Sequence, residues 1–228
     1  MRTLAIGDIH GCDNALSRLL REVRPEATDR LVFLGDYIDR GPGSRAVIER
    51  LLCLPGEWAT VFLRGNHEVM MLEARNDPLK AKLWQRYGGL DTLCSYGAEA
   101  LEDWWSAIPE AHWTFLKRTR PCFETSRVIF AHACVDPELN LEKQPDQMLY
   151  WEFFDQIQPH KSGKKIVCGH TPQRSGRIKD LGFAVCLDTA AVSGGWLTCL
   201  DTDSGQYWQA RENGDARTGQ LAGDVPRT

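Results

Sequence analysis

The chain has 228 residues, 43% of them hydrophobic, with 31 acidic side chains against 27 basic ones and a formal net charge of −4. That length can bury a full core in one domain, and the acidic balance leaves no broad basic surface, so general electrostatic binding to nucleic acid or to anionic membrane is excluded as a main activity. Eight scattered cysteines, with no C-x-x-C pair and several set in apolar runs such as Ile166-Val167-Cys168, read as buried reduced thiols rather than as a disulfide or zinc framework.

Met1-Arg2-Thr3-Leu4 enters an apolar strand directly, without the cleavage pattern of a secretory signal, and no apolar stretch approaches the roughly 20 residues of a spanning helix. A cytoplasmic protein without a membrane partner is expected. From there one rhythm repeats over the first 75 residues: an apolar run, a polar Gly-containing cluster, then helical periodicity. Thr3 to Gly7, Arg30 to Gly35 and Ala59 to Arg64 read as buried strands. Leu16, Leu19, Leu20 and Val23, then Val47, Ile48, Leu51 and Leu52, fall at helical spacing. The alternation implies βαβ units and a mostly parallel sheet.

From about residue 78 to 121 the pattern turns helical and Trp-rich (Trp84, Trp104, Trp105, Trp113), as an insertion covering one side of the sheet would. The tryptophans read as core or lid packing rather than as stacking platforms for bases. Strands return at Arg127 to Ala131, Lys165 to Cys168, Phe183 to Leu187, Gly195 to Asp201 and Gln206 to Ala210; the last three look like an antiparallel meander. Residues 1–212 are thus predicted to form a single domain, and 213–228 a mobile tail.

Polar motifs close several of these strands. Gly7-Asp8-Ile9-His10-Gly11, Gly35-Asp36-Tyr37-Ile38-Asp39-Arg40-Gly41 and Arg64-Gly65-Asn66-His67-Glu68 follow the first three; Ala131-His132-Ala133 and Gly169-His170-Thr171 follow two later ones. Open α/β sheets place ligand sites at the C-terminal ends of their strands, so these loops should converge. Any one of them has a dull explanation as a capped loop. All of them together, rich in oxygen and imidazole donors, do not. Asp8, His10, Asp36, Asn66, His132 and His170 offer mixed O/N ligation suited to two divalent ions about 3.5–4 Å apart, with a carboxylate such as Asp36 able to bridge them. Such a pair can hold a bridging hydroxide and polarise a phosphoryl oxygen. The lack of thiolates argues against a closed structural zinc site.

The order G-D-I-H-G, G-D-Y-I-D-R-G, R-G-N-H-E, strand-end His and G-H-T resembles the PPP family of metal-dependent serine/threonine protein phosphatases, and most of all its short bacterial and phage members, over residues 7 to about 200. The resemblance implies a calcineurin-like αββα sandwich, two mixed β-sheets flanked by helices, here with the helical insertion. It implies that Asp8, His10 and Asp36 hold the first metal, and that Asp36, Asn66, His132 and His170 hold the second. By the same resemblance His67 is the general acid, oriented by Asp39, and Arg40, with Asn66, binds the phosphate. A carboxylate partner keeps a histidine protonated, and a guanidinium fork matches phosphate oxygens. Arg64 and Glu68 are expected to form supporting ion pairs.

One departure stands out. The phage-like members usually carry a second phosphate-binding arginine after a Trp between the strand-end His and G-H-T. Here that stretch reads Leu149-Tyr150-Trp151-Glu152-Phe153-Phe154, and no arginine lies between Ala133 and Pro172. Lys161, Lys164, Lys165 and Arg174 are only weak substitutes on sequence grounds.

The activity implied is a phosphomonoesterase in which a metal-bridging hydroxide attacks phosphorus, acting on phosphorylated protein at serine or threonine and broadly on small aryl phosphate esters. The alternative is a diadenosine tetraphosphate (dinucleoside polyphosphate) hydrolase, whose family shares the metal set and the Arg-Gly-Pro-Gly-Ser found at Arg40 to Ser44. Asp39 before the arginine and Glu68 after Asn66-His67 favour the phosphatase. A non-catalytic metal-bearing scaffold is disfavoured because no ligand is missing. Mn²⁺ is the expected ion, although Fe, Zn, Co and Ni suit the same donors. Native substrate and oligomeric state are not written in the sequence.

Overall fold

The computed structural model describes residues 1–221. Its strands are β1 (Thr3–Ile6), β2 (Arg30–Phe33), β3 (Ala59–Phe62), β4 (Cys122–Glu124), β5 (Val128–Ala131), β6 (Lys165–Cys168), β7 (Lys179–Asp180), β8 (Ala184–Cys186), β9 (Asp188–Thr189), β10 (Trp196–Asp201), β11 (Gln206–Ala210) and β12 (Ala216–Gln220). The helices are α1 (Asp13–Val23), α2 (Ser44–Leu52), α3 (Asn66–Ala74), α4 (Pro78–Trp84), α5 (Leu90–Tyr96), α6 (Glu110–Arg118) and α7 (Asp146–Trp151), with short 3₁₀ turns between some of them.

The strands form two mixed sheets. One runs β12-β11-β10-β1-β2-β3, with β9 also paired to β10; the other runs β4-β5-β6-β8-β7. β1, β2 and β3 are parallel, as are β5, β6 and β8. The pleat explains why these strands read as unbroken apolar runs. Leu4, Ile6, Leu31 and Phe33 face α1, α2 and the other helices of the largest core. Their alternates Ala5 and Val32 meet Phe130, Val167 and Val185 of the second sheet. On the far side, Ile129, Ile166 and Cys168 pack against Leu149, Tyr150 and Phe154. Every strand between two apolar layers must be apolar on both faces, and the result is helix, sheet, sheet, helix.

Three expectations change. Phe183 to Leu187 does not join the terminal meander: β8 lies in the second sheet, parallel to β6, because both its faces are buried there. The third strand of the meander is β12, drawn from residues expected to be a mobile tail; it pairs antiparallel with β11 from Ala210↔Ala216 to Gln206↔Gln220. Its sparse apolar content reflects an edge position that needs backbone pairing more than burial. Residues 222–228 lie outside the described residues. Finally, β3 is only half-buried, because it forms the other edge of that sheet.

Residues 78–118 supply α4, α5 and α6, joined between α4 and α5 by a π-helical turn, Gln85–Gly89, that kinks at Gly88 (φ 114°). Trp84, Trp104 and Trp113 pack on one another there. Five of the eight cysteines are buried and all are free thiols; Cys53 and Cys94 are exposed. No helix among the described residues is long and apolar enough to cross a membrane.

Candidate active site

The parallel strands point their C-terminal ends the same way, and the polar loops that follow β1, β2, β3, β5 and β6 meet there. The backbone is bent hard to achieve it. His10, Asp36, Asp39, Arg40 and His170 all take positive φ, between 46° and 72°, where a side chain costs energy that neighbouring contacts must offset. Glycines let the loops press together: a Cβ at Gly65 would fall 2.1 Å from Asp36 Oδ1, and one at Gly169 would fall 1.9 Å from Asp8 Oδ1.

Two sets of donor atoms result, each within 4.8 Å of one another: His10, Asp36 and His67, and Asp36, His132 and His170. Asp36 belongs to both, as a bridging ligand would. Asn66 Oδ1 stands 3.0 Å from His132 Nε2 and 3.1 Å from His170 Nδ1. Asp8 joins neither three-residue set. Its Oδ2 accepts the His170 backbone N–H at 2.9 Å, while Oδ1 is buried without a partner among the described residues. Burial, with the charges of Asp188 and Asp36, pushes the Asp8 carboxyl well above the usual range. An unpartnered buried carboxyl oxygen in that position fits a cation, and the donor set around it suits divalent ions.

The histidines divide by what holds their second nitrogen. His10 Nδ1 donates to Ile38 O at 2.9 Å and His132 Nδ1 to Leu34 O at 3.0 Å, which leaves each Nε2 lone pair facing the site. Burial holds His10 down at about 3 and His170 at about 4, and lowers His132 as well. These are neutral imidazoles, the form that ligates. His67 goes the other way. Burial opposes its charge, but Asp36 and a 2.7 Å hydrogen bond from Nδ1 to Asp39 Oδ2 raise its pKa above the ordinary value. Its Nε2 is buried, without a hydrogen-bond partner among the described residues, and 4.0 Å from Asp36 Oδ2. Burial pushes Asp36 itself up, but the four histidines around it, His132 foremost, hold it below the usual carboxylate range.

Asp39 is a hub. Fully buried, it accepts from His67 Nδ1, Trp84 Nε1 (2.7 Å) and Thr92 Oγ1 (2.6 Å), and its backbone N–H donates to Thr92 Oγ1 and Ser44 Oγ. Burial pushes its carboxyl up and those donors pull it back. The helical insertion is therefore wired to the His67–Asp39 pair. Arg40 is exposed; its N–H donates to Gly88 O at 3.1 Å, and its Nη1 lies 3.0 Å from His10 Nε2.

Glu68 and Arg64 form no ion pair among the described residues, contrary to expectation. Glu68, at the third position of α3, accepts backbone N–H groups of Asp36, Tyr37 and Gly65 at 2.8–2.9 Å, pinning the second loop to the third. Arg64 spends its guanidinium on Thr119 Oγ1 and the carbonyls of Leu116, Lys117 and Thr119. In both cases backbone groups at element ends outcompete a charged partner, because they would be left unpaired.

Sequence reasoning missed Trp84, Thr92 and Asp188. Asp188 is buried beside Asp8, accepts the Ala190 N–H at 3.0 Å, and is pushed up to about 6, first by burial. It follows β8 as Asp8 follows β1, so the strand-end rule could have found it. Nothing in the sequence tied Trp84 and Thr92 to Asp39 across 45 and 53 residues.

A family model, the calcineurin-like phosphoesterase, matches residues 1–195. The chain is a calcineurin-like phosphoesterase. It is 34% identical over 201 residues to serine/threonine-protein phosphatase 1 of Salmonella typhimurium, covering 85% of this chain and 88% of that one. It is 28% identical to the symmetrical bis(5'-nucleosyl)-tetraphosphatase of Chromohalobacter salexigens, covering 91% and 97%. Among solved structures, the cold-active protein-tyrosine phosphatase of a psychrophilic Shewanella superposes with a TM-score of 0.62 at 18% identity, covering 96% of this chain and 80% of that one, a likeness of fold. As a calcineurin-like phosphoesterase the chain is a metal-dependent enzyme that hydrolyses phosphoester bonds.

Proposed function

We propose that the chain is a phosphomonoesterase of phosphorylated protein side chains, phosphoserine and phosphothreonine, acting also on small aryl phosphates. The observation that carries this reading is the buried His67–Asp39 pair, joined at 2.7 Å, in which the histidine pKa is raised while those of His10, His132 and His170 are lowered by burial. An alkoxide is a poor leaving group and needs a proton as the P–O bond breaks, whereas a polyphosphate leaving group does not.

In this reading Asp8, His10 and Asp36 hold one divalent ion, and Asp36, Asn66, His132 and His170 the other. Two ions supply an activated water and neutralise charge on the phosphoryl oxygens when bound. Arg40 holds the phosphate from the exposed side and Asn66 orients it. His67 keeps a proton at Nε2 for the leaving oxygen, and Asp39 fixes its tautomer and charge. The dinucleoside tetraphosphate reading keeps support from the named relatives and from Arg40-Gly-Pro-Gly-Ser44. The test is a side-by-side assay of a phosphoserine peptide, bis-p-nitrophenyl phosphate and diadenosine tetraphosphate with added Mn²⁺. Turnover of the peptide at a kcat/KM well above the other two is expected; preference for the dinucleotide would reverse the choice.

A further inference from the structure

The metal-ligand loops open to solvent through a cleft of about 580 Å³ whose floor is Asp36, Asn66, His170 and Arg40. Its walls are of a different character: Trp84 and Tyr87 from the helical insertion on one side, Trp151, Phe153 and Pro172 on the other. Tyr87 is 53% exposed and Phe153 59% exposed, a large apolar area left facing solvent. Phe153 leans on His170, ring centroids 5.7 Å apart at 34°. Tyr87 precedes Gly88, whose carbonyl accepts the Arg40 N–H, so its wall is fastened to the phosphate side of the site. The two charged side chains on the rim, Lys80 and Glu73, pair with each other at 3.0 Å and leave no free charge for the occupant.

We infer that Tyr87 and Phe153 are specificity residues that receive an aromatic ring carried directly on the leaving oxygen, so that aryl monoesters, with the phosphotyrosine side chain as their form in proteins, are held more tightly than alkyl ones. The inference rests on the monoesterase reading and sharpens it. Distance selects the ring's attachment. The Phe153 ring lies 5.7 Å from that of His170, at the edge of the donor set, so an aromatic group carried directly on the leaving oxygen is short enough to meet it. A base separated from phosphorus by ribose and a phosphate chain would project past it. Stacking and burial of one phenyl ring in such a cleft are worth about a tenfold change in affinity or more.

The experiment compares one peptide sequence phosphorylated on tyrosine or on serine, with diadenosine tetraphosphate as a third substrate, for the wild type, Phe153→Ala, Phe153→Trp and Tyr87→Ala. Wild type should show a KM for the phosphotyrosine peptide about tenfold below that for phosphoserine. Phe153→Ala and Tyr87→Ala should raise the phosphotyrosine KM several-fold while changing the phosphoserine KM less than twofold, and Phe153→Trp should keep the preference. Equal KM values in the wild type, or equal losses on both peptides, would overturn the cleft assignment with the monoesterase reading intact. Turnover of the dinucleotide and of neither peptide would overturn the reading on which it rests.

Discussion

The floor and the walls of the active-site cleft are built by opposite rules. The floor is built of Asp, His and Asn on loops that follow parallel strands, with strained φ angles and with Asp8 Oδ1 and His67 Nε2 left unpartnered among the described residues. The walls are aromatic: Tyr87 on the kinked helical insertion, Trp151 at the end of α7 and Phe153 after it are exposed, and only the buried Trp84 is held by a polar contact, to Asp39. A preorganised floor fits chemistry that is the same for every substrate. Walls that bind by shape and apolar area can change preference without disturbing that chemistry.

The sharpest way to break this contrast is at Asp36. Asp36→Asn should abolish turnover and lower metal content together, because a neutral amide cannot offset two divalent charges; chelation of the wild type should do the same, reversed by Mn²⁺. Two retained ions with near-normal rates would remove Asp36 from the floor. Next comes His67→Asn, which should slow phosphoserine peptides by about 10²–10⁴-fold but p-nitrophenyl phosphate far less, with both metals kept. The acid is competent while protonated, and its pKa is raised, so the wild-type rate on phosphoserine should persist above the ordinary histidine pKa of about 6.5 and fall as pH rises through the higher value. That alkaline limb should vanish in the variant. A loss of metal instead would move His67 into the ligand shell.

Arg40→Ala should weaken inhibition by free phosphate about tenfold to a hundredfold, as loss of a charged hydrogen-bond partner does, with metal occupancy unchanged. Unchanged phosphate inhibition would mean that another group is the clamp. The smallest effect is expected at Thr92→Val. It removes one donor to Asp39, weakens the hold of that carboxylate on His67, and should move the alkaline limb to lower pH at a cost of only a few-fold in rate. A pH profile superimposable on the wild type would cut the link between the helical insertion and the acid.

The floor was legible in the sequence and the walls were not, for a physical reason. Asp8, His10, Asp36, Asn66, His132 and His170 each sit one or a few residues past an apolar strand, and parallel strands impose their convergence. Trp84 and Thr92 reach Asp39 only because α4 and α5 fold back over the second loop, which no local pattern records. Phe153 occupies the stretch where a second arginine was looked for, and its place in the cleft depends on how the turn after α7 is set. The αββα layering was readable from doubly apolar strands. The sheet membership of β8 and the existence of β12 were not, since pairing partners far apart in sequence leave no periodic trace.

One pairing bears on how the molecule is made. β1 lies between β2 and β10, and its register with β10 runs Leu4↔Asp201 to Ile6↔Cys199. The helix that follows, α1, has no side-chain cap of its own; Glu212, almost 200 residues later, accepts the N–H groups of Asn14 and Ala15. A nascent chain shorter than this closing segment therefore holds Asp8 and His10 on a strand with one neighbour missing and on a helix with an open end. Framing of the loop that carries Asp8 and His10 thus depends on contacts from the far end of the described chain, a closure of high sequence separation.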